Sequence, residues 1–413
     1  MVIDRLRFAQ STAAVFAFAC SLGACALLVG PPDGHRLFES NDGDTAVAPE
    51  ASTDASGWDA DDSSSGPLDA AADASDAIEE MGADAEAGRT AFTGPVITLA
   101  SGENAPEGIV QTSGALYWAD FGDSTIHRLA RSSDGWFDPV TADSASGSTP
   151  FASTTLALAP PPTDLLADTL YLYALVGVFV TSQECATFLP YSLTGDGGTL
   201  GCAYPTSVCS RSVNRLAQDG SNIYLSGGLC GSVAPSYIFV ETAPGTNNLG
   251  WTKIGPLSAP ASAMAGDTVK VYFAIGNQLF SQALATTAFD PSPIAQSPSS
   301  LATITDVAVD DANVYWADDM GNVAAVSKGG TTFQQLLASG QNHPFRLAQD
   351  ASNLYWTNAG TQSNDGSIAM VPKIGGGSTI LASNQGHPWG ITVDDNGLYW
   401  TDYATSTVMM LAR

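Results

Sequence analysis

The stretch that decides the fold is the end of the chain, Gly386 to Arg413, which reads GHPWGITVDDNGLYWTDYATSTVMMLAR. Within it, Ile391 to Val393 alternates between apolar and polar residues, and Asp394 to Gly397 has the composition of a tight turn. An aromatic run, Leu398 to Thr401, follows, and a polar loop separates it from an apolar run, Thr407 to Leu411. This pattern predicts three short antiparallel strands.

The same unit recurs along the chain, and one tyrosine marks its place in each copy. The seven tyrosines are Tyr117, Tyr171, Tyr224, Tyr272, Tyr315, Tyr355 and Tyr399. Five residues before most of them lies an aspartate, a residue that accepts hydrogen bonds from the amides of a turn; the exceptions are Thr112 and Leu166. A period of roughly 40 to 55 residues built from short strands is typical of a β-propeller, in which each repeat is one four-stranded blade. We therefore predict an all-β, seven-bladed β-propeller.

The final unit lacks a fourth strand, and the missing strand is found at the other end of the domain. Pro95 to Ser101 matches the fourth strands predicted at Phe333 to Ser339 and Ser378 to Ser383. We expect it to pair with Thr407 to Leu411 and close the ring, because closure removes open sheet edges.

Residues 1–25 have the features of a bacterial export signal. Arg5 and Arg7 supply the positive end, an apolar run extends from Ala13 to Leu22, and small residues precede a cysteine. This run is short for a membrane span. The segment ending at Cys25 resembles a lipoprotein signal, which implies lipid on that cysteine and a location at the outer membrane or cell surface. Cys20 is the alternative lipidation site, and plain secretion is the alternative fate.

Residues 26–91 are rich in Asp, Ala, Ser, Gly and Glu, which predicts a disordered tether before the propeller of residues 92–413. Much of the net charge of -28 lies there, so this charge says little about the partners of the folded domain. The carboxylates of the tether have no fixed ligand spacing, which favours a solvated spacer over a calcium site. With 14 Lys and Arg against 42 Asp and Glu, the chain has no basic surface for nucleic acid.

Four cysteines remain in the body of the chain, and an even count in an exported protein predicts two disulfides. Sequence order favours Cys185 with Cys202 and Cys209 with Cys230, although three pairings are possible. Zinc is the alternative, but the spacings match no familiar zinc pattern and no histidine lies nearby. We predict no bound metal and no cofactor.

Strand parity places two kinds of loop on one face of the ring, the top face. These are the loop between the second and third strands of each blade and the link to the next blade. A polar and aromatic surface at a channel mouth is a candidate binding site. The candidates on this face are Asp120, Asp318, His343, Phe345, His387, Trp389 and Asp402. The alternative is structural: the histidines bond neighbouring backbone, and the aspartates tie adjacent blades together.

A second candidate set lies on the innermost strands, nine residues before each tyrosine. Its members are Gly108, Pro162, Arg215, Ala263, Asp306, Arg346 and Gly390. Arg346 and Asp306 belong to adjacent blades and can form an ion pair, which leaves Arg215 to bind an anionic group. A purely structural ion pair is the alternative.

The units LYWTD at Leu398, VYWAD at Val314 and LYWTN at Leu354 resemble the YWTD repeats of low-density-lipoprotein-receptor-type propellers. The Pro-x-Gly-Ile start of the units is similar to NHL-type repeats. The resemblance covers units one, five, six and seven, and seven cycles depart from the six blades of the receptor propellers. Together with the lipoprotein signal and acidic spacer, it resembles a bacterial surface lipoprotein.

Two functions follow from these resemblances. The favoured one is a tethered, monomeric, non-enzymatic propeller that binds a protein, peptide or glycan through its top face. The alternative is a metal-dependent lyase or hydrolase resembling virginiamycin B lyase, with His127, His343 and His387 as its candidate residues. Fold alone does not choose between these functions.

Overall fold

The computed structural model describes residues 92–139, 148–150, 162–180, 183–192, 208–209, 216–219, 221–229, 236–241, 252–287, 289–290, 292–329 and 334–413. Every regular element among them is a β-strand, so the all-β prediction is confirmed. The predicted signal and tether, residues 1–91, lie outside this part of the chain, as do Arg215, Cys202 and Cys230. Of Cys185 and Cys209 only the backbone is described. The described residues contain no helix with the length and apolar character needed to cross a membrane.

The described strands pair into seven antiparallel sheets, numbered here in chain order. The first described strand is β1, Val96–Ser101. Sheet one contains β2 (Pro106–Gln111), β3 (Ala115–Asp120), β4 (Thr125–Ala130) and β5 (Ser148–Pro150); sheet two contains β6 (Pro162–Ala167), β7 (Tyr171–Val180) and β8 (Gln183–Ser192). Sheet three contains β9 (Val208–Cys209), β10 (Leu216–Gln218), β11 (Ile223–Leu229), β12 (Ser236–Glu241) and β13 (Thr252–Leu257).

The later sheets have the same four-stranded order. Sheet four contains β14 (Ala263–Gly266), β15 (Lys270–Ile275), β16 (Gln278–Ala283) and β17 (Ala295–Gln296); sheet five contains β18 (Ile304–Val309), β19 (Asn313–Asp318), β20 (Val323–Ser327) and β21 (Gln334–Ala338). Sheet six contains β22 (Pro344–Gln349), β23 (Asn353–Asn358), β24 (Gly366–Pro372) and β25 (Thr379–Gln385). Sheet seven contains β26 (Pro388–Val393), β27 (Gly397–Asp402) and β28 (Thr407–Ala412), with β1 as its outer strand.

The N-terminal strand closes sheet seven. β1 pairs antiparallel with β28, with Val96 opposite Leu411 and Ser101 opposite Thr407. The prediction that this segment supplies the missing fourth strand is therefore confirmed. The last strand of the chain has a neighbour on both sides, so it presents no open edge.

The first strands of the sheets form a closed cycle. β2 contacts β6, and the contacts continue through β10, β14, β18, β22 and β26 back to β2. Antiparallel sheets arranged radially, with their first strands innermost, constitute a β-propeller.

Aromatic side chains fill the interfaces between the sheets. A tyrosine of one sheet and a tryptophan of the next share one core: Tyr399 with Trp118, Tyr272 with Trp316, Tyr315 with Trp356, and Tyr355 with Trp400. Successive residues of a strand point to opposite faces of its sheet. The tyrosine and the tryptophan that follow each other in one strand therefore pack against the two different neighbouring sheets. All eight side chains are fully buried, and each such ring buries about 150–250 Å².

In the second repeat the sequence prediction was wrong. Tyr173, rather than Tyr171, occupies the repeated tyrosine position, because its buried hydroxyl donates a hydrogen bond to Asp168, five residues earlier, over 2.6 Å. Tyr173 pairs across the sheet with Leu166, seven residues earlier, the separation found in the other repeats. Tyr171 and Tyr173 lie on the same face of β7, so alternation alone could not choose between them. The aspartate pattern is therefore unbroken in this repeat.

Candidate functional site

Hydrogen bonds from backbone amides to carboxylates show that the blade links share a face with the loops that follow the second strands. The carboxylate of Asp402, at the end of β27, accepts hydrogen bonds from the amides of Gly386 at 2.7 Å and His387 at 2.9 Å, which link sheets six and seven. In sheet one, Asp120 accepts a hydrogen bond from the amide of Asn104 at 2.8 Å. We call this side of the ring the top face.

The hydrogen bonds of Asp318 and Asp402 support the structural interpretation of these two aspartates. Asp318 accepts hydrogen bonds from the hydroxyl of Ser297 at 2.6 Å and from the amides of Met320 and Asn322 at 3.0 Å each. Both side chains are almost fully buried. Because their oxygens already bind the blade links and the loops after the second strands, these carboxylates hold the top face together rather than facing a ligand.

An aromatic cluster lies on the top face where sheets six and seven meet. The rings of Phe345 and Trp389 have centroids 4.3 Å apart, and Tyr403 stands 5.9 Å from Trp389. The imidazole of His387 lies 5.9 Å from Trp389 and 6.5 Å from Tyr403. All four side chains are partly exposed, so they form a surface rather than a core. We refer to these four residues as the aromatic cluster.

Polar groups accompany this cluster. The guanidinium carbon of Arg346 lies 4.7 Å above the ring of Phe345, a cation–π distance. The indole Nε1 of Trp389 is buried and has no hydrogen-bond partner. Burying a donor without a partner costs roughly 1–3 kcal/mol of stability. A ligand acceptor that reached this N–H would recover part of that free energy. The cluster thus combines apolar area, a cation and one unused donor.

The two top-face histidines differ in their surroundings. His387 is half-buried, and this burial lowers the pKa of its imidazole, against the opposing charges of Asp402 and Asp365. His343 is exposed, has a positive φ of 56° before Pro344, and lies close enough to His387 to influence it. Its carbonyl accepts a hydrogen bond from the amide of Ala359 at 2.9 Å. The backbone role predicted as the alternative therefore describes His387, whose imidazole hydrogen-bonds the backbone of Ala359, whereas the contact of His343 is made by its main chain.

A group of charged residues lies on the innermost strands beside the cluster. Glu107 of β2 is buried, and burial raises the pKa of its carboxyl to about 8. The positive charge of Arg346 opposes this rise in pKa, and the negative charge of Asp164 adds to it. Glu107 follows Pro106 as Phe345 and Trp389 follow their own prolines. Sheets six, seven and one therefore place Phe345, Trp389 and Glu107 at equivalent positions.

Asp164 replaces Pro162 in the predicted inner ring, because Tyr173 is the true marker of the second repeat. Asp164 and Asp306 make the same bridge: each accepts a hydrogen bond from the next amide of its own strand and one from the following sheet, at Leu216 over 3.0 Å and at Leu347 over 2.8 Å. These carboxylates join neighbouring inner strands. An Asp306–Arg346 ion pair stays a prediction, and Arg215 lies outside the described residues.

Sequence reasoning missed Glu107 and Asp164, and it did not include Tyr403 among the site residues. The position after the first-strand proline carries Phe345 and Trp389 in two units, so a glutamate at the same position in unit one was a readable departure from the repeat. Asp164 was missed because the inner-ring position was counted from Tyr171 instead of Tyr173. Tyr403 follows Asp402 in a predicted top-face loop, but only the structure shows its ring beside Trp389.

The fold and this site define the protein as a β-propeller with an aromatic and charged patch on its top face. No protein-family model and no curated protein matches the sequence. Among solved structures, it is similar to the computationally designed Ika8 protein, with TM-score 0.50 and 12% identity over 76% of this chain and 98% of that one. It is also similar to a chain of the Mitotic Checkpoint Complex, with TM-score 0.54 and 10% identity over 78% of this chain and 95% of that one.

A third similar structure is described as the extracellular domain of a one component system, BT4673, from B. thetaiotaomicron. Its TM-score is 0.52 at 13% identity, and the match covers 77% of this chain and 40% of that one. At these identities the likeness concerns the fold alone. It supports the β-propeller class and assigns no ligand.

Proposed function

We propose that this protein is a seven-bladed β-propeller that binds a polypeptide partner through the aromatic cluster of its top face. Lipid on Cys25 anchors it at the outer membrane or cell surface, residues 26–91 act as the spacer, and two disulfides brace the second and third blades. A glycan is the second class of ligand that such a surface fits. The protein acts as a monomer and as a binding module.

The observation that carries this proposal is the packing of three partly exposed rings, those of Phe345, Trp389 and Tyr403, on the top face. Tryptophan, tyrosine and arginine dominate the binding energy of protein interfaces, because they bury large areas and keep a polar group for orientation. Trp389 brings an unused indole donor, and Arg346 brings a cation over the ring of Phe345. A peptide supplies backbone carbonyls that accept from the indole and apolar side chains that pack on the aromatic rings.

The metal-dependent enzyme has weaker support at the aromatic cluster. Among the described residues, the group whose ligand atoms come close enough to hold a metal ion contains His127 with Glu103 and Asp120, and neither His343 nor His387 belongs to it. The two top-face histidines instead have backbone and aromatic neighbours.

The proposal can be tested with the full-length chain, a displayed random-peptide library and a glycan array. We expect selected peptides to bind the wild type and Trp389→Ala to weaken that binding by more than about tenfold, as for a central aromatic anchor. Met320→Ala is the matched control, because Met320 is an exposed residue in another top-face loop. Ligands that bind Trp389→Ala as tightly as wild type would refute this site, and selective binding of glycans alone would identify the second ligand class.

A further inference from the structure

A compact group of three side chains, Glu103, Asp120 and His127, lies at the joint between sheets seven and one. Glu103 lies in the segment from β1 to β2, Asp120 ends β3, and His127 lies on β4. The Nδ1 atom of His127 is 3.7 Å from a carboxylate oxygen of Glu103, and its Nε2 atom is 3.8 Å from one of Asp120. One ligand atom from each residue lies within 4.8 Å of the other two.

Two atoms of this group are buried and lack partners. Asp120 has no exposed surface, yet its Oδ1 accepts no hydrogen bond, and the Nδ1 of His127 is also unpaired. Asp120 Oδ2 accepts from the amide of Asn104, and Glu103 Oε2 accepts from the indole of Trp118 at 2.8 Å. The Nε2 atom of His127 lies 2.9 Å from the hydroxyl of Thr125, which leaves Nδ1 as the nitrogen for an ion. Buried polar atoms without partners are uncommon and costly in native proteins.

Burial disfavours the charged form of each residue in this group. Burial raises the pKa of the Glu103 carboxyl and raises that of Asp120 to about 6. Burial lowers the pKa of His127, which favours the neutral imidazole. A neutral imidazole beside two desolvated carboxylates is a set of donors that a divalent cation stabilises directly.

The repeats of this protein supply an internal control. The indole of Trp118 donates to Glu103, whereas the indoles of Trp356 and Trp400 donate to Gln341 and Gln385 at the same position. A glutamine oxygen is therefore sufficient to accept the hydrogen bond from the tryptophan indole, and a carboxylate is not required. The residue opposite the tryptophan on the third strand is His127 in sheet one, Ala369 in sheet six and Met409 in sheet seven.

The aspartate at the end of the second strand differs between repeats in the same way. In sheet seven, Asp402 receives hydrogen bonds from the amides of Gly386, His387 and Thr405, and both of its oxygens are used. In sheet one, Asp120 keeps one oxygen unpaired. Compared with sheet seven, sheet one has Glu103 where the other has Gln385, and His127 where the other has Met409. Asp120 also has an unpaired oxygen, and all three differences lie at one place.

We propose that Glu103, Asp120 and His127 bind a divalent transition-metal ion of the Zn²⁺ type. Imidazole nitrogen favours such ions over Ca²⁺ and Mg²⁺, which prefer oxygen ligands. Zinc bonds of about 2.1 Å in a tetrahedral site place ligand atoms about 3.4 Å apart, and one ligand atom from each of the three residues already lies within 4.8 Å of the other two. Small side-chain rotations bring the three residues onto one ion, and solvent fills the remaining position.

The ion would brace the closure of the ring. Glu103 follows the closing strand β1, and its amide donates to the carbonyl of Ser406 in sheet seven at 3.1 Å. Asp120 and His127 belong to sheet one. A metal held by all three joins the last sheet to the first. We therefore expect binding to raise the thermal stability of the whole domain, because the metal binds the folded state alone.

The test uses the untagged full-length chain, stripped with a chelator and then titrated with Zn²⁺, Mn²⁺, Ca²⁺ or Mg²⁺. The readouts are isothermal calorimetry and the melting temperature. We expect Zn²⁺ to bind and to raise the melting temperature by about 5 °C at saturation. Glu103→Gln, which keeps an acceptor for the Trp118 indole, and His127→Met, which copies Met409, should each weaken binding at least about tenfold.

Gln385→Glu is the matched control, because it places a glutamate at the equivalent position of sheet seven without a histidine. It should bind metal as the wild type does. Failure of the wild type to bind Zn²⁺ at millimolar concentration would overturn the proposal. So would Zn²⁺ binding that persists unchanged in both variants, which would place the ions on other carboxylates. Tighter binding of Ca²⁺ or Mg²⁺ than of Zn²⁺ would overturn the assignment of a transition metal.

Discussion

The repeated aspartate binds a turn and a buried hydroxyl at the same time. In the sixth repeat, one oxygen of Asp350 accepts from the amides of Ser352 and Asn353, and the other accepts from the hydroxyl of Tyr355 at 2.7 Å. Burial and the nearby carboxylate raise the pKa of Tyr355, so its hydroxyl stays a donor. The Asp-to-Tyr spacing of five residues therefore reflects a physical contact rather than turn composition alone.

Substitution of this aspartate should destabilise the domain. Asp310 accepts from the amides of Ala312 and Asn313, from the hydroxyl of Tyr315, and pairs with Lys373 at 3.1 Å. We expect Asp310→Ala to lower the free energy of unfolding by roughly 2–4 kcal/mol, because it leaves buried donors unpaired.

The adjacent residue provides the control for this prediction. Asp311 is exposed, so Asp311→Ala should change the free energy of unfolding by less than about 0.5 kcal/mol. Chemical denaturation of both variants measures the difference. Equal losses in the two variants would contradict the role assigned to the Asp–Tyr contact.

Glu107 should make stability depend on pH. Its pKa in the folded state is about 8, well above the ordinary value near 4.5. Between these values the folded chain holds a proton that the unfolded chain has released, so the free energy of unfolding falls as pH rises, by at most about 1.4 kcal/mol per pH unit. This loss of stability is absent below the pKa of the unfolded chain and complete above the pKa of the folded chain.

Glu107→Gln removes this titration while keeping the shape of the side chain. We expect the variant to lose less stability than the wild type between pH 5 and 8 and to be the more stable protein at pH 9. Urea denaturation across that range measures both slopes, and the exposed Asp311→Asn is the control. Parallel slopes for wild type and Glu107→Gln would show that the carboxyl ionises normally.

At the scale of elements, each buried core is shared by two neighbouring sheets. Leu99 of β1 packs into the core shared by Trp118 of sheet one and Tyr399 of sheet seven. A single blade cannot bury its aromatic residues, because the tyrosine and the tryptophan face opposite neighbours. The closing strand therefore contributes both hydrogen bonds to β28 and apolar surface to the joint.

Truncation of the closing strand's buried side chain should be costly. Leu99 has no exposed surface, so we expect Leu99→Ala to lower the free energy of unfolding by roughly 2–5 kcal/mol. Val96 lies in the same strand with 39% of its surface exposed, and Val96→Ala should cost less than about 1 kcal/mol. Thermal denaturation distinguishes the two, and a small effect at Leu99 would argue against a latching role for β1.

At the scale of the whole molecule, closure removes the open edges of the ring and brings three sheets to one site. Glu107 comes from sheet one, Arg346 from sheet six and Trp389 from sheet seven. The aromatic cluster lies where sheets six and seven meet, and the proposed metal group lies at the next joint, where sheet seven meets sheet one. Ring closure therefore brings the residues of the top-face site together.

The anchor proposed at Cys25 is tested on the whole chain in its cell envelope. We expect Cys25→Ala to move the protein from the membrane fraction to the soluble fraction and to abolish incorporation of labelled palmitate. Cys20→Ala should leave both properties unchanged. Retention of the lipid label in Cys25→Ala, with its loss in Cys20→Ala, would transfer the anchor to Cys20.

The sequence by itself determined the strands, the turns and the closure. Alternating residues, the Asp-to-Tyr spacing and the match of Pro95 to Ser101 with other fourth strands are local or repeated signals, and they predicted β1 opposite β28. The blades of a propeller repeat the same contacts, so the strand pattern of one well-preserved repeat, such as Gly386 to Arg413, predicts the strands of the other repeats. The prediction was wrong where the copy held two tyrosines, Tyr171 and Tyr173, on one strand face.

Only the tertiary structure decided which distant side chains meet. Glu107 and Arg346 are far apart in sequence and become neighbours because the ring returns sheet seven to sheet one. Likewise, Glu103, Asp120 and His127 come from a link and two strands, and no spacing in the sequence marks them as one group. The physical reason is that hydrogen-bond registers act between adjacent strands, whereas a site at the ring's joint exists only after all the sheets have packed.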